Sequence, residues 1–288
     1  MTRVAAIDLG TNATRMLVAD VEDGETVEVL RRTRITRLGE GVDARRRLLP
    51  VPIARVRNVL ADYRRELESL GAERTLAVAT SAVRDAENGE AFLGEVEWSY
   101  GFATRLLTGD EEAAMTLRGV GPLEAGTVVI DVGGGSTELI TNDFRTSLNV
   151  GSVRLTDRHG TDLNAMAADV RAVLPDLRAE RALGVDGTTA ELAHLAGEGR
   201  LVTRKAVDEI LAWLESTSEP ERRERLLEPD RSEVLAAGTI VLREALDRLG
   251  LDRTESSDRD LLNGVALTAA ELPEPDEGAA PPGAYTCC

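Results

Sequence analysis

The segment Asp131-Val-Gly-Gly-Gly-Ser-Thr-Glu138 is the part of the sequence best suited to bind an anion. Three consecutive glycines let the backbone approach a ligand closely, and the N–H groups of such a loop form an anion-binding nest. Asp131 ends an apolar strand and Glu138 lies beyond the turn, so the two carboxylates could hold a hard divalent cation through water, as Mg²⁺ prefers. The segment therefore predicts a site for phosphate and Mg²⁺. An ordinary hairpin turn is the alternative.

A second segment repeats this pattern 123 residues nearer the N-terminus. Residues 7–17 read IDLGTNATRML and residues 130–140 read IDVGGGSTELI, with Ile, Asp, Gly and Thr shared at a constant offset. Each segment begins with an apolar strand that ends in an aspartate, turns at glycine and continues into a second apolar stretch. We therefore expect two β-hairpins whose turns present N–H groups beside a carboxylate, Asp8 in the first and Asp131 in the second. One such hairpin in each half predicts two related lobes that face each other.

Two adjacent glutamates stand at the expected start of a helix. Thr108 and Glu111 have the spacing of a capping box, which predicts a helix that runs through Arg118. A carboxylate in the first turn of a helix can accept a proton from water, or it can serve only to stabilise the helix dipole. We interpret Glu111 as the dipole-stabilising acid, whereas the residues alone leave both roles open for Glu112.

Alternating strand and helix patterns surround these segments. Apolar residues recur at helical spacing from Ile53 to Leu70, between Pro52 and Gly71, which predicts an amphipathic helix. Short apolar runs predict strands at residues 75–79, 105–107, 182–185 and 254–256. Further helices are expected at residues 162–179, 188–196, 203–216, 233–249 and 259–271. This alternation indicates a mixed α/β protein.

The composition excludes several classes of function. The 288 residues include 34 Lys+Arg and 51 Asp+Glu, a net charge of −17, with eight aromatic residues and a single lysine, Lys205. Because aromatic residues are few and no basic patch dominates, binding of DNA or RNA is disfavoured, and the chain has no P-loop motif. The two histidines, His159 and His194, and the terminal cysteines, Cys287 and Cys288, disfavour a histidine metal site and a disulfide framework. No apolar run approaches the ~18 residues of a membrane span, so we expect a cytoplasmic protein that binds no membrane.

The sequence resembles the exopolyphosphatase/guanosine pentaphosphate phosphohydrolase (Ppx/GppA) family, within the actin-like ATPase superfamily. The matching segments, in family order, are AAIDLGTNATRMLVAD (5–20), VATSAVRDAEN (78–88), LTGDEEAAMTLRGV (107–120), VVIDVGGGSTELI (128–140), NVGSVRLTD (149–157), GVDGTTAEL (184–192) and, more weakly, residues 236–267. The resemblance implies an α/β fold of two ribonuclease H-like (actin-like ATPase) lobes with a cleft between them. It also implies an enzyme that hydrolyses terminal phosphoanhydride bonds of inorganic polyphosphate or pppGpp, with Mg²⁺ or Mn²⁺ as cofactor.

The same resemblance implies roles for individual residues. Family members orient the attacking water with a glutamate that by position is Glu112 in this chain. The acids that match the Mg²⁺-associated positions are Asp8, Asp131 and Glu138. The residues that match the phosphate loops and the motif arginine are Gly10, Thr11, Asn12, Gly133, Gly134, Gly135, Ser136 and Arg84. For Arg84, a surface salt bridge is the alternative to a bidentate phosphate contact.

Two further positions are weaker candidates under the resemblance. Arg154 lies in the matching GSVRLT segment, but a purely structural role is favoured for it. Gly187–Thr189 matches the position where related ATPases hold the nucleotide, and it could equally be a tight strand–helix turn with threonine as the cap.

Three departures from the family pattern concern how a polymer is held. Ala13 stands where the family usually has a hydroxyl residue, and the segment from Glu228 to Glu233 is poorer in positive charge than its counterpart. The histidine-rich domain of long family members has no counterpart in this sequence. Fewer cationic groups on phosphate mean weaker polyanion binding, so we expect an exo-acting hydrolase of short polyphosphates or of a nucleotide's phosphate tail, one that releases its intermediates.

Two other interpretations of the function stay open. One is an ATP-dependent kinase or ATPase of the same superfamily, and the other is a non-catalytic sensor of phosphate ligands. The presence of Asp8, Glu112, Asp131 and Glu138 disfavours the sensor. The sequence leaves open the choice between polyphosphate and guanosine pentaphosphate and the oligomeric state, a homodimer included.

The expected domain organisation follows from these segments. We expect an N-terminal lobe at residues 1–120, joined by the C-terminal helix at 259–271, and a C-terminal lobe at 121–258. The Pro-, Gly- and Ala-rich tail at 273–288 is expected to be disordered.

Overall fold

The computed structural model describes residues 1–273 of the chain. The chain divides into two compact units: unit 1, which is Met1–Gly119 together with the chain from Leu261 onward, and unit 2, which is Val120–Asp260. The expected disordered tail at 273–288, with Cys287 and Cys288, lies outside the described residues apart from Pro273.

Strands and α-helices alternate along the described chain. The strands are β1 (Thr2–Leu9), β2 (Ala13–Glu22), β3 (Glu25–Ile35), β4 (Arg74–Ala79), β5 (Ala103–Leu106), β6 (Thr127–Val132), β7 (Thr137–Ile140), β8 (Arg145–Leu148), β9 (Arg181–Val185), β10 (Leu201–Thr203) and β11 (Arg253–Ser256). The helices are α1 (Val42–Arg45), α2 (Pro50–Ser69), α3 (Ser81–Arg84), α4 (Gly89–Tyr100), α5 (Gly109–Val120), α6 (Ser152–His159), α7 (Leu163–Val173), α8 (Asp186–Ala196), α9 (Arg204–Ser216), α10 (Glu219–Arg225), α11 (Leu235–Leu249) and α12 (Leu261–Ala269).

Unit 1 is a five-stranded sheet with helices on both faces. Its strand order is β3-β2-β1-β4-β5, in which β1, β2 and β3 are antiparallel, β4 is parallel to β1, and β5 is parallel to β4. One face packs in a core that includes Val56 and Leu60 of α2 and Phe92 of α4. The other packs in a core that includes Met115 of α5 and Val265 of α12. Because both faces are covered, β1 is apolar at consecutive positions, and no alternating pattern marks it.

Unit 2 repeats this arrangement with one additional edge strand. Its order is β10-β11-β9-β6-β7-β8, with β6, β7 and β8 antiparallel and with β9 and β11 parallel to β6. Strand β10 pairs antiparallel with β11 at the edge. The core includes Ile130 and Leu139 of the central hairpin, Leu192 of α8 and Ile240 of α11.

The two sheets share one strand plan. Three antiparallel strands are followed by two parallel ones, in the order β3-β2-β1-β4-β5 in unit 1 and β8-β7-β6-β9-β11 in unit 2. This is the order of the ribonuclease H-like fold, which forms each lobe of actin-like ATPases. The predicted fold class, α/β with two ribonuclease H-like lobes, is confirmed.

The local predictions were mostly confirmed, with one clear correction. The helix expected at 162–179 is shorter, since α7 ends at Val173 and Leu174 is extended with ψ of 126°. Proline disfavours the helical region for the residue before it and has no N–H to continue the ladder, so Pro175 ends this helix. None of the helices between residues 1 and 273 is long and apolar enough to cross a membrane.

Candidate functional site

The first glycine loop, residues 10–12 between β1 and β2, is fixed through its carbonyl groups. The Gly10 N–H donates to the Ala13 carbonyl at 3.0 Å and closes the turn. The Asn12 carbonyl accepts from the N–H groups of Thr36 and Arg37, at 3.0 and 2.8 Å. Among the described residues, the N–H of Asn12 has no hydrogen-bond acceptor, and neither polar atom of its buried side-chain amide has a hydrogen-bond partner.

The second glycine loop, residues 133–136 between β6 and β7, is fixed in the same way. The Gly133 N–H donates to the Ser136 carbonyl at 3.0 Å, at the position equivalent to the Gly10 bond. The Gly134 carbonyl accepts from the N–H groups of Val153 and Arg154, at 2.8 and 3.1 Å. No acceptor within residues 1–273 lies opposite the N–H groups of Gly134 and Gly135.

Both loops therefore turn their carbonyls to the protein and keep N–H groups available to a ligand. Backbone N–H groups need a partner, and an anion such as phosphate is chemically suited to be that partner. The anion nest expected from the glycine run takes a different form, because none of Gly133, Gly134 or Gly135 has a positive φ. Close approach favours glycine: a Cβ on Gly133 would make a tight contact of 3.0 Å with the Ser136 carbonyl oxygen. A Cβ on Gly151 would lie only 2.6 Å from the Gly134 carbonyl, so position 151 requires glycine.

Asp8 lies opposite Arg15 in the β1–β2 hairpin. The Nε and Nη2 atoms of Arg15 donate to Asp8 Oδ2 at 3.0 and 2.7 Å, and both side chains are buried. Charge-assisted bonds of this kind fix a carboxylate in one orientation. No role for Arg15 was predicted from the sequence. The sequence feature that could have indicated a role for Arg15 is the offset of 123 residues, which aligns Arg15 with Glu138 of the second hairpin.

Asp131 and Glu138 are the corresponding cross-strand pair in unit 2. Directly opposite residues of an antiparallel pair project from the same face, so the two buried carboxylates lie side by side. Glu138 Oε1 also accepts a hydrogen bond from Ser147 Oγ at 2.6 Å. Mg²⁺ commonly takes one or two carboxylates and completes its shell with water and substrate phosphate, so this pair fits it. No group of three or more His, Cys, Asp and Glu side chains arranged to hold a metal occurs in the described chain.

Glu112 lies in the first turn of α5 and is buried, with 7% of its surface exposed. Arg84 Nη1 donates to Glu112 Oε2 at 3.2 Å and to the Leu107 carbonyl at 2.8 Å, so Arg84 is not the solvent-exposed surface pair considered as its alternative. Burial raises the pKa of Glu112 to about 7; Arg84 opposes this shift and the charge of Asp8 adds to it. A carboxyl group with a pKa near neutrality is well matched to take a proton from water.

Glu111, the neighbouring acid, has the structural role expected for it. Its carboxylate accepts from the N–H and hydroxyl groups of Thr108, both at 2.9 Å, and from Arg105, while the Thr108 hydroxyl accepts from the Glu111 N–H. These bonds, led by that from the Thr108 backbone, lower the pKa of Glu111 to about 2. The predicted capping box is confirmed, and α5 extends two residues past Arg118.

The two weaker candidates have structural contacts. Arg154 Nε donates to the Gly135 carbonyl at 2.7 Å and so supports the second glycine loop. Thr188 is not a helix cap: α8 begins at Asp186, and the Thr188 hydroxyl donates to the Val132 carbonyl at 3.0 Å. Gly187 packs under Arg231, whose guanidinium would lie 2.1 Å from a Cβ at that position.

Within unit 1, then, the fold brings Asp8, Arg15, Arg84 and Glu112 close enough to influence one another electrostatically. Unit 2 brings Asp131 and Glu138 to the hairpin that carries the second glycine loop. Besides Arg15, two residues of these sites were not predicted from the sequence. They are Ser147 and Gly39, whose N–H donates to the Thr11 carbonyl at 2.8 Å.

Comparisons with known proteins agree with this architecture. The profile of the Ppx/GppA phosphatase family matches residues 17–180. Exopolyphosphatase 2 of Mycobacterium tuberculosis is 35% identical, over 94% of this chain and 99% of that protein. The guanosine-5'-triphosphate,3'-diphosphate pyrophosphatase of Vibrio vulnificus is 29% identical, over 72% of this chain and 45% of that enzyme. The crystal structure of the Aquifex aeolicus member of the Ppx/GppA family superposes with a TM-score of 0.73 at 27% identity, over 94% of this chain and 98% of that one. This chain, with its two hairpins of one design that each contain a glycine loop, thus belongs to the Ppx/GppA phosphatase family.

Proposed function

We propose that this protein hydrolyses terminal phosphoanhydride bonds and releases orthophosphate from inorganic polyphosphate, from pppGpp, or from both. Membership of the Ppx/GppA family and the activities named for the relatives support the reaction class. The observation that carries the proposal is the state of Glu112, a buried carboxyl group held by Arg84 with its pKa raised to about 7.

In the proposed reaction Glu112 acts as general base. Its carboxylate takes one proton from a water molecule, and the water oxygen attacks the terminal phosphorus in line with the bridging oxygen. The bond from phosphorus to that bridging oxygen breaks, so orthophosphate leaves together with a chain one phosphate shorter. The proton on Glu112 then returns to solvent, and the enzyme is ready for the next water.

The charge of the transferred phosphoryl group must be neutralised by this chain's own groups. We propose that each unit binds phosphate oxygens with its own donors. In unit 1 these are the N–H groups of Thr11 and Asn12 with Arg84, and in unit 2 they are the N–H groups of Gly134 and Gly135 with the Ser136 hydroxyl. Arg84 offers a planar fork suited to phosphate, and its bond to the Leu107 carbonyl fixes one end of that fork. Donors that are already fixed need no reorganisation when charge develops in the transition state.

We further propose that Mg²⁺ or Mn²⁺ binds Asp131 and Glu138. Asp8 matches the third Mg²⁺-associated acid of the family, and within unit 1 its Oδ2 accepts two hydrogen bonds from Arg15. When bound, the metal would neutralise phosphate charge in a chain whose own net charge is −17.

A phosphate-release assay distinguishes this proposal from its alternatives. Purified protein with Mg²⁺ is given polyphosphate, pppGpp, or ATP with a panel of sugars, and both orthophosphate and sugar phosphate are measured. The proposal expects orthophosphate from polyphosphate or pppGpp and no sugar phosphate. Sugar phosphorylation would instead establish the kinase, and tight polyphosphate binding without turnover would establish the sensor.

A further inference from the structure

Three consecutive arginines, Arg45–Arg47, lie at the end of α1 and in the turn that follows it. All three are exposed. Within the chain as far as Pro273, none of their guanidinium groups forms an ion pair or a hydrogen bond. Other exposed arginines of unit 1 pair with an acid, as Arg57 does with Glu95 and Arg105 with Glu111.

Hydrogen bonds fix the chain on both sides of this arginine segment to unit 1. On its N-terminal side, the chain contacts the first glycine loop, where the Gly39 N–H donates to the Thr11 carbonyl at 2.8 Å. On its C-terminal side, the Arg46 carbonyl accepts from the Glu87 N–H at 2.8 Å. Asn88 adds two bonds to the Leu48 backbone, at 2.8 and 3.1 Å.

These anchors connect the arginine segment to the chemistry by short lengths of chain. Glu87 follows three residues after Arg84, which contacts Glu112. Thr11 belongs to the loop that offers its N–H groups to a phosphate. The arginine segment is therefore linked by short stretches of backbone to the loop and the arginine proposed to bind the terminal phosphates.

The local charge balance favours an anionic ligand. Between Thr36 and Leu49 the chain carries four arginines and two acids, Glu40 and Asp43, and Glu40 is engaged by Arg55. A concentrated positive patch in a protein of net charge −17 attracts a polyanion locally, although the chain as a whole repels it.

We propose that Arg45–Arg47 form a binding site for the distal phosphates of a linear polyphosphate whose terminal phosphates lie at the catalytic residues. This inference rests on the proposed function and adds a specificity determinant to it. The site favours chains that are longer than the catalytic loops alone can hold. Three arginines bind only a few phosphates, however, so they do not form a continuous polymer-binding track. Release of shortened intermediates is then still expected.

The test is the triple variant Arg45→Gln/Arg46→Gln/Arg47→Gln. Glutamine keeps the polar character of the exposed segment and removes its charge, and thermal unfolding verifies that the fold is unchanged. We expect KM for long-chain polyphosphate to rise roughly tenfold, KM for tripolyphosphate to rise much less, and kcat to change little. The dependence of log(kcat/KM) on log(salt) for the long chain is expected to flatten by about 2, at ~0.7 for each phosphate that the variant no longer neutralises.

The matched control removes three positive charges elsewhere, in the variant Arg178→Gln/Lys205→Gln/Arg253→Gln. These exposed residues belong to unit 2, where Arg253 begins β11 at the end of the sheet opposite to the second glycine loop. Equal behaviour of the two triple variants on long chains would overturn the inference, because only net charge would then matter.

A binding measurement keeps this inference separable from the proposed function. Long-chain polyphosphate is titrated into the wild type and both triple variants at low salt, without Mg²⁺, and binding is followed by calorimetry. Weaker binding by the Arg45–Arg47 variant alone supports the site even if no substrate is hydrolysed. Equal affinities overturn it even if the wild type is an active hydrolase.

Discussion

Glu111 and Glu112 occupy consecutive positions in the first turn of α5, and their carboxyl groups have opposite surroundings. Glu111 is at the surface, where Thr108 and Arg105 hold its pKa at about 2. Glu112 is buried beside Arg84, and its pKa is raised to about 7. Adjacent residues of a helix point about 100° apart, so one acid caps the helix while the other faces the interior. Only Glu112 is suited to exchange a proton near neutral pH.

The raised pKa of Glu112 predicts how activity depends on pH. A general base works as the carboxylate, so kcat/KM should fall about tenfold per pH unit below a midpoint near 7 and level off above it. Arg84→Gln should move this midpoint to higher pH, because Arg84 favours the charged form of Glu112. Initial rates over a pH series at saturating metal measure both. A midpoint near the ordinary glutamate value would contradict the account.

The same group should make the folded protein less stable as pH rises. The folded pKa, about 7, exceeds the ordinary value of 4.5, so between these values the folded state holds the proton more tightly than the unfolded state. The contribution of Glu112 to the free energy of unfolding therefore decreases from pH 4.5 to pH 7, by about 3 kcal/mol in total, and is constant above. Denaturant unfolding of wild type and Glu112→Gln should show a difference that grows in favour of the variant over this window. A constant difference would refute the assignment.

Removal of Arg15 should destabilise unit 1 strongly. Arg15→Met removes both hydrogen bonds that Arg15 donates to Oδ2 of the buried Asp8 carboxylate, and breaking a buried pair costs about 3–5 kcal/mol. Arg64→Met is the matched control, because the Arg64–Glu68 pair is exposed and an exposed i,i+4 pair contributes only about 0.5 kcal/mol. Chemical unfolding of both variants measures the contrast. Similar small losses would mean that the Asp8–Arg15 pair is not held in a low-dielectric interior.

The proposed metal site predicts strict dependence on Mg²⁺ or Mn²⁺. Excess EDTA should abolish phosphate release, and Asp131→Asn should raise the metal concentration needed for half activity by reducing the charge of the site. Asp143→Asn, on the exposed turn before β8, is a control that should leave the metal titration unchanged. Full hydrolysis in excess EDTA would exclude this role of the metal.

Features set by local chemistry were the ones that the sequence predicted best. The two hairpins, the capping box of Thr108 and Glu111, and the amphipathic helix from Pro50 each depend on residues a few positions apart. Strand β3 was missed because it lies at the edge of its sheet, where charged residues interrupt the apolar pattern.

The parts of the site that depend on long-range packing could not be read from the sequence. The pKa of Glu112 is raised by burial, which the surrounding core determines, and its partner Arg84 is 28 residues away. The bond from Arg15 to Asp8 depends on the register of β1 against β2. Each glycine loop is held by hydrogen bonds from its carbonyls to N–H groups about 20 residues further along the chain. No local sequence motif identifies those donor segments.

The role of Glu112 as general base is tested by the turnover numbers of Glu112→Gln and Glu111→Gln. Phosphate release from short-chain polyphosphate is measured for both variants at saturating substrate and Mg²⁺, with substrate affinity determined in parallel. The account predicts that Glu112→Gln lowers kcat by about 10²–10⁴-fold with substrate binding nearly unchanged, and that Glu111→Gln retains kcat within a few-fold. An active Glu112→Gln enzyme beside an inactive Glu111→Gln enzyme would contradict it.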